Sequence, residues 1–322
     1  MALNWDYLTA TTREFFRKKL VDNIYDSSPL LATMLNDASI REYQRGGRKI
    51  VEPLLYAKNT ALGVYSNFDT FDMTPPDNIT AAEQVWGHYY VTIAISGDDE
   101  TDNMGESQVL SLISERTREA EMALKDKVTD DIYAGSDTKG IIGLSTAIAA
   151  GTYGAIAGGT YTWWQSGVDA SAHTAANMKD STNAAYILTL LRTGYISCKH
   201  GGETPNLIVT TQAVYDILEH VLQQQARYEK FNKRTGLLAD GGFQTLQWRG
   251  IPIVADEKCT ADTMYMLNTN YLTFWIHPSR NFYFTGFKTP LNQDAKAGQI
   301  LLKAQMSTSN RRMHYVWTDL NN

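Results

Sequence analysis

The stretch Met104-Gly105-Glu106-Ser107-Gln108-Val109-Leu110-Ser111-Leu112-Ile113 runs on without a proline to Asp131-Ile132-Tyr133-Ala134. Apolar residues recur at Val109, Leu112, Ile113, Ala120, Ala123, Leu124, Val128 and Ile132. That is the 3.6-residue period of one helix face. Glu115, Arg118, Glu119, Glu121, Lys125 and Asp126 occupy the opposite face. Asn103 and Glu106 have the spacing of a capping box, and Gly135 stands where a helix stop belongs. At 1.5 Å per residue the helix is expected to be roughly 40 Å long, longer than most small domains are wide. One apolar face on so long a rod predicts a spine on which other elements are hung.

The 322 residues suffice for one elaborate domain or two simple ones. Apolar content of 43% and charge of 20% are ordinary for a folded, soluble chain. No run of eighteen apolar residues marks a membrane span. The opening Met-Ala-Leu-Asn-Trp-Asp-Tyr lacks the basic and then apolar pattern of a secretory signal. Cys198 and Cys259 are too few for a disulfide framework, so folding in a reducing cytoplasm is expected. A net charge of −6 speaks against a general role in coating nucleic acid, without excluding a local basic patch.

Before the spine, residues 1–48 read as an arm. A short helix there carries Phe16, Leu20 and Ile24 on one face and is expected to end at Pro29. That stripe suits docking on the chain's own core or on a neighbouring subunit equally. Arg45-Gly46-Gly47-Arg48 marks a turn. The next strand, residues 49–56, is expected to pair with the β-branched and aromatic run at residues 85–95. Nearly thirty residues of weak periodicity separate the two. Leu62, Val64, Tyr65, Phe68, Phe71 and Met73 are concentrated there, which fits disorder poorly. A two-stranded excursion is marginal alone in water, and apolar groups at its tip need a surface. The economical reading is a long hairpin lying on another chain; the bland one is a hairpin folded back on its own domain.

After the spine, residues 135–180 form a crossing rich in Gly, Ala, Ser and Thr, with Trp163-Trp164 expected to anchor it. A second body starts near Asp180. Helices are predicted around residues 184–195 and 214–228, with strands at 206–210, 245–248, 251–255, 264–267 and 272–276. That is an α/β unit of helices flanking a small sheet. Two alternating strands close the chain: Ile300, Leu302, Ala304 and Met306 face one way in the first, the second spans residues 313–318, and Ser307-Thr308-Ser309-Asn310 is expected to turn between them.

The motifs of chemistry are mostly missing. The six histidines show no zinc-helix spacing, and nothing nearby completes a ligand set begun by Cys198 and His200. Residues 97–103, Gly-Asp-Asp-Glu-Thr-Asp-Asn, lack the glycine and terminal glutamate of a calcium loop. There is no phosphate-cradling glycine loop and no nucleophile elbow. No catalytic residue, cofactor or metal is predicted.

The order of parts is distinctive: arm, long hairpin, spine helix, glycine-rich crossing, α/β body, and returning strands. It resembles the major capsid proteins of tailed bacteriophages, the Hong Kong 97-type fold. Ser28-Pro29-Leu30-Leu31, Gly46-Gly47-Arg48-Lys49-Ile50, Glu52-Pro53-Leu54, Ile142-Gly143-Leu144, Trp163-Trp164, and Gly250-Ile251-Pro252-Ile253 with Asp256 resemble stretches in one branch of that family. The resemblance implies an α+β fold of four parts. Residues 1–48 are the N-terminal arm and 49–96 the extended loop over an adjacent subunit. Residues 97–179 and 291–322 are the peripheral domain, and 180–290 the axial domain, with a tip near Lys233 and Arg234. It implies a non-enzymatic shell subunit that forms pentamers and hexamers around double-stranded DNA, assembled in the host cytoplasm, with scaffolding, portal or decoration proteins as partners and no membrane. The expected subunit-interface residues are Phe16, Leu20, Tyr65, Phe68, Phe71, Lys233 and Arg234. Some relatives cross-link through a lysine and an asparagine; Lys58 and Asn59 lie in the extended loop, but no cross-link is predicted. Two other readings stand beside this one: an encapsulin-like compartment, since encapsulins share the fold, and an uncharacterised two-domain enzyme.

Overall fold

The computed structural model describes residues 28–37, 39–71, 73–74, 77–102, 112–135, 139–223, 246–290 and 293–320. In chain order the elements are α1 (Pro29–Asn36), β1 (Arg41–Tyr43), β2 (Lys49–Leu55), β3 (Ile79–Val85), β4 (Gly87–Ser96), α2 (Gly97–Asp102) and α3 (Leu112–Ala134). Then come α4 (Leu144–Ala147), β5 (Gly167–Asp169), α5 (Ala175–Lys179), α6 (Ile187–Cys198), β6 (Leu207–Thr210) and α7 (Gln212–Gln223). The rest is β7 (Leu246–Trp248), β8 (Ile251–Ala255), β9 (Met264–Leu267), β10 (Leu272–Ile276), β11 (Tyr283–Phe284), β12 (Ala295–Thr308) and β13 (Tyr315–Trp317). The described residues fall into two compact units. The smaller takes Tyr90–Lys125 and Phe282–Leu301, and the larger the remainder.

Helix α3 is the spine. Its described part has 23 residues, about 35 Å at 1.5 Å each. Ala120, Leu124, Val128 and Ile132 are buried, on the stripe that the period predicts. The predicted cap at Asn103 and Glu106 lies outside the described residues. The helix ends at Ala134, and Gly135 follows, as expected, but not through a left-handed backbone. A Cβ at Gly135 would lie 2.2 Å from the Ile141 carbonyl oxygen and 2.4 Å from that of Asp131. The glycine is needed because the crossing chain doubles back against the helix end, where Gly143 N–H donates to Gly135 O at 2.7 Å.

In the smaller unit, Ile93 and Ile95 of β4 are buried on alternate positions. The acidic run expected to flank the spine forms α2, where Ser96 Oγ accepts the Asp99 N–H at 3.1 Å. That hydroxyl supplies the N-terminal cap. β11 pairs antiparallel with the first half of β12, Tyr283 opposite Leu301.

The larger unit holds a six-stranded sheet in the order β5-β13-β9-β6-β8-β7. Leu190 and Leu191 of α6 and Val214, Leu218 and Val221 of α7 share one core with Ile208, Ile253 and Met266 of this sheet. A second sheet sets β10 between β1, parallel, and the far half of β12, antiparallel. Two expectations need correction. The two closing strands do not form a hairpin: β12 pairs with β10, while β13 enters the six-stranded sheet between β5 and β9. Pro29 opens α1 behind Ser28 as N-cap, and the helix it was expected to end lies outside the described residues. A proline is favoured there because its missing N–H would be unpaired anyway. The partner of β2 is β3 and not the run at 85–95.

Two motif stretches meet at Asp256. Its buried carboxylate accepts the Ser28 hydroxyl, the Tyr133 hydroxyl at 2.6 Å and the Lys258 N–H at 3.0 Å. Burial, and then the neighbouring Asp256 charge, hold the Tyr133 phenol well above its ordinary pKa, so it remains a donor. Tyr133→Phe removes one charge-assisted bond and is expected to lower unfolding free energy by about 1.5–3 kcal/mol in denaturant titration. Asp256→Ala strands two buried hydroxyls and should cost more than Tyr133→Phe.

His314 is also buried. Its Nδ1 accepts the Asn268 N–H at 3.3 Å, and Nε2 lies 2.9 Å from Thr308 Oγ1. With Nδ1 accepting, the ring proton sits on Nε2 and donates to Thr308. Burial, reinforced by Arg311, holds the imidazole pKa down at about 3. The unfolded ring binds a proton below about pH 6.5 and the folded one does not, so stability falls as pH drops from 6.5 towards 3. The loss is of order 4 kcal/mol by pH 3. In His314→Asn, the slope of unfolding free energy against pH between 6 and 4 is expected to flatten, even though the variant is less stable at pH 7.

Candidate assembly surface

β2 and β3 form a two-stranded antiparallel ribbon, Lys49 opposite Val85 and Leu55 opposite Ile79. Its inner face buries Ile50, Leu54, Ala82 and Gln84; its outer face leaves Val51, Leu55, Ile79 and Val85 exposed. The root of the ribbon is tied down at four points. Glu52 accepts the Ser307 hydroxyl, whose oxygen accepts Trp275 Nε1–H at 2.7 Å. Gln305 Nε2 donates to the Val85 carbonyl. Glu83 N–H donates to Gly154 O at 3.0 Å. Tyr56 stacks on Trp163 with centroids 5.6 Å apart. Burial raises the Glu52 carboxyl pKa, against the lowering effect of the Ser307 bond. Gly154 has φ +61°, and a Cβ there would sit 2.9 Å from that of Ala82, so only glycine lets the crossing approach the ribbon.

Residues 56–78 carry the chain out from the ribbon and back. A turn closed by Asp69 N–H to Ser66 O at 3.0 Å shapes the tip, and the Asp69 carboxylate accepts Ser66 N–H at 2.6 Å. This turn brings Tyr65 edge-on to Phe71 at 5.1 Å. It leaves Phe68 outside the pair and 99% exposed. Leu62 at 88% and Met73 at 91% are equally bare. So many apolar side chains in one short segment, in water, mark an interaction site and not scatter. Beside the root lies a groove of about 390 Å³ lined by Tyr56, Ile79, Ile156, Tyr161 and Trp163.

Of the residues expected at subunit contacts, Tyr65, Phe68 and Phe71 fall in this tip. Phe16, Leu20, Lys233 and Arg234 lie outside the described residues. The outer face of the ribbon was not anticipated, because β3 was not recognised as a strand. Trp164 is buried and donates Nε1–H to Tyr153 O at 2.9 Å, as an anchor should, whereas half-buried Trp163 takes the ribbon root. Cys198 is buried, and burial pushes its thiol up to about 12, so it does not ionise near neutrality. Among the described residues no three His, Cys, Asp or Glu side chains gather as a metal site would need.

No family model matches the chain, and no curated protein resembles it in sequence. Solved structures do resemble it in shape. The capsid asymmetric unit of cyanophage A-1(L) superposes with a TM-score of 0.67 at 18% identity, over 98% of each chain. The capsid of a native GTA particle gives 0.66 at 10% identity, over 99% of this chain and 100% of that one. The SrpI encapsulin of Synechococcus elongatus gives 0.59 at 11% identity, over 99% and 96%. At such identities the likeness is one of fold, and the fold of this chain is the Hong Kong 97-type capsid fold.

Proposed function

We propose that this chain is the repeating subunit of an icosahedral head shell around phage double-stranded DNA, a structural protein and not an enzyme. The observation that carries the reading is the bare aromatic tip on a tethered ribbon, in a chain whose whole length has a shell-forming fold. In this reading residues 1–48 are the arm, 49–96 the extended loop, 97–179 and 291–322 the peripheral domain, and 180–290 the axial domain. Tyr65, Phe68 and Phe71 lie on a neighbouring copy, and Phe16, Leu20, Lys233 and Arg234 join the contacts. A ring that buries about 150–250 Å² at about 25 cal/mol per Å² yields roughly 4–6 kcal/mol before ordering costs. Repeated around a shell, such contacts supply its strength. Assembly takes place in the host cytoplasm, with scaffolding, portal or decoration proteins as further partners. The likeness to an encapsulin supports a second reading, a compartment holding protein cargo. Nucleic acid in purified particles favours the first; cargo protein without nucleic acid favours the second.

Electron micrographs of the expressed protein should show closed shells, on its own or with a co-expressed scaffold; a chain that stays monomeric at high concentration in both cases would sink both readings. Replacing Tyr65, Phe68 and Phe71 together by serine is expected to leave a folded, soluble subunit and to raise the concentration needed for assembly at least a hundredfold. If the triple variant unfolds, the tip belongs to its own core; if it assembles normally, the tip is not an interface.

A further inference from the structure

Two cations, Arg280 and Lys303, and the His88 imidazole crowd one patch of the larger unit, with no carboxylate paired to either cation among the described residues. Gly87 opens β4 against β12, so close that a Cβ there would lie 2.8 Å from the Ala304 carbonyl oxygen. His88 follows directly. On the adjoining chain His277 N–H donates to Lys303 O at 3.0 Å, and Arg280 N–H donates to His277 O at 2.9 Å. These backbone bonds bring His88, Arg280 and Lys303 to one place. Lys303 Nζ stands 4.9 Å from the centroid of the buried Trp86 ring, which meets His277 edge-on at 6.1 Å. That cation–π contact pins a side chain which would otherwise wander. Burial, then Arg280, holds the Lys303 ammonium below its usual pKa; burial, then Lys303 and Arg280, does the same to His88. Among the described residues neither Arg280 nor Lys303 is paired with a carboxylate.

A solvated surface cluster is the ordinary fate of lysines and arginines. This one differs in two respects. Its lysine is held in place by an indole, and its two charges repel one another with no carboxylate paired to either among the described residues, in a chain whose net charge is −6. An anion lowers the free energy of such an arrangement, and His88 and Arg280 are exposed to receive one. A single carboxylate would offset one of the two charges and leave the imidazole without a partner. A phosphate group, with more oxygens and up to two charges, matches the set better. We propose that His88, Arg280 and Lys303 form an oxyanion-binding patch that takes a phosphate group, supplied as free phosphate or as the phosphodiester of a nucleic acid. The patch does not depend on the shell reading.

The test is calorimetric titration of the full chain at neutral pH and fixed ionic strength, with inorganic phosphate and separately with a short DNA duplex. Wild-type protein should bind phosphate. Arg280→Gln/Lys303→Gln should weaken binding at least tenfold. Arg116→Gln, which changes a cation outside the patch paired with Glu119, should leave it unaltered. If the duplex displaces phosphate, and the slope of log K against log salt falls by about 0.9 for each cation removed, the ligand is a phosphodiester. If phosphate binds and the duplex does not displace it, the ligand is the free ion. Absence of phosphate binding, or equal weakening by the control and the double variant, overturns the proposal. Circular dichroism checks the fold of the double variant. Should it misfold, Arg280→Gln alone, at an exposed side chain, must show a smaller loss in the same direction.

Discussion

Asp256 lies buried where three separate stretches of chain meet, and each supplies it a proton. A bare carboxylate in such a place would be very costly, because nothing replaces its lost water. Here the Ser28 and Tyr133 hydroxyls and the Lys258 amide do so. The entry to α1, the last turn of the spine helix and the turn after β8 therefore cannot slide independently without stranding a charge. The Lys258 ammonium extends the tie, reaching Asp126 at 2.7 Å and Asp130 at 3.3 Å, one turn apart on the same helix. The spine is thereby registered against the six-stranded sheet, since Asp256 N–H also bonds Thr210 O on β6 at 2.9 Å.

The glycine-rich crossing presents a different problem, a cluster of carbonyls turned toward the interior. Arg311 meets it from within. Its guanidinium donates to the carbonyl oxygens of Ala147 at 2.7 Å and of Gly151 and Trp164 at 2.9 Å, with Thr146 and Ala149 completing the set. The rings of Tyr153 and Trp164 flank it at 5.2 and 5.9 Å. Burial lowers its pKa to about 10, which still leaves it charged near neutrality. The crossing is thus wrapped around a side chain borrowed from elsewhere in the chain. On this firm base stand Gly154 and Trp163, which receive the root of the ribbon.

Strong local contrast made some elements easy to read. The apolar strands β6, β8, β9 and β10 appear within a residue or two of their expected bounds, and Ala120, Leu124, Val128 and Ile132 of the spine stripe are buried as its period requires. β3 escaped because its inward positions are Ala82 and Gln84, too small or too polar to give an alternating signal. The closing strands were misjoined because alternation says which face is apolar and nothing about which neighbour is chosen. The concentration of aromatics at the tip was visible in composition. The turn at Ser66 and Asp69, which pairs Tyr65 with Phe71 and leaves Phe68 alone, was not. Neither Asp256 nor Arg311 could be recognised as a hub, because the hydroxyl partners of the first lie 123 and 228 residues away and the carbonyl partners of the second 147 to 165.

The placement of β13 between β5 and β9 bears on how the molecule is made. Trp317 is fully buried there, and Arg311 lies a few residues before it. Neither the middle of the six-stranded sheet nor the clasp on the crossing can form until those residues have left the ribosome. Contacts of such long sequence separation fold late. A nascent or prematurely terminated chain therefore lacks both the strand that joins β5 to β9 and the guanidinium that holds the crossing, so the larger unit closes only as its last strand emerges.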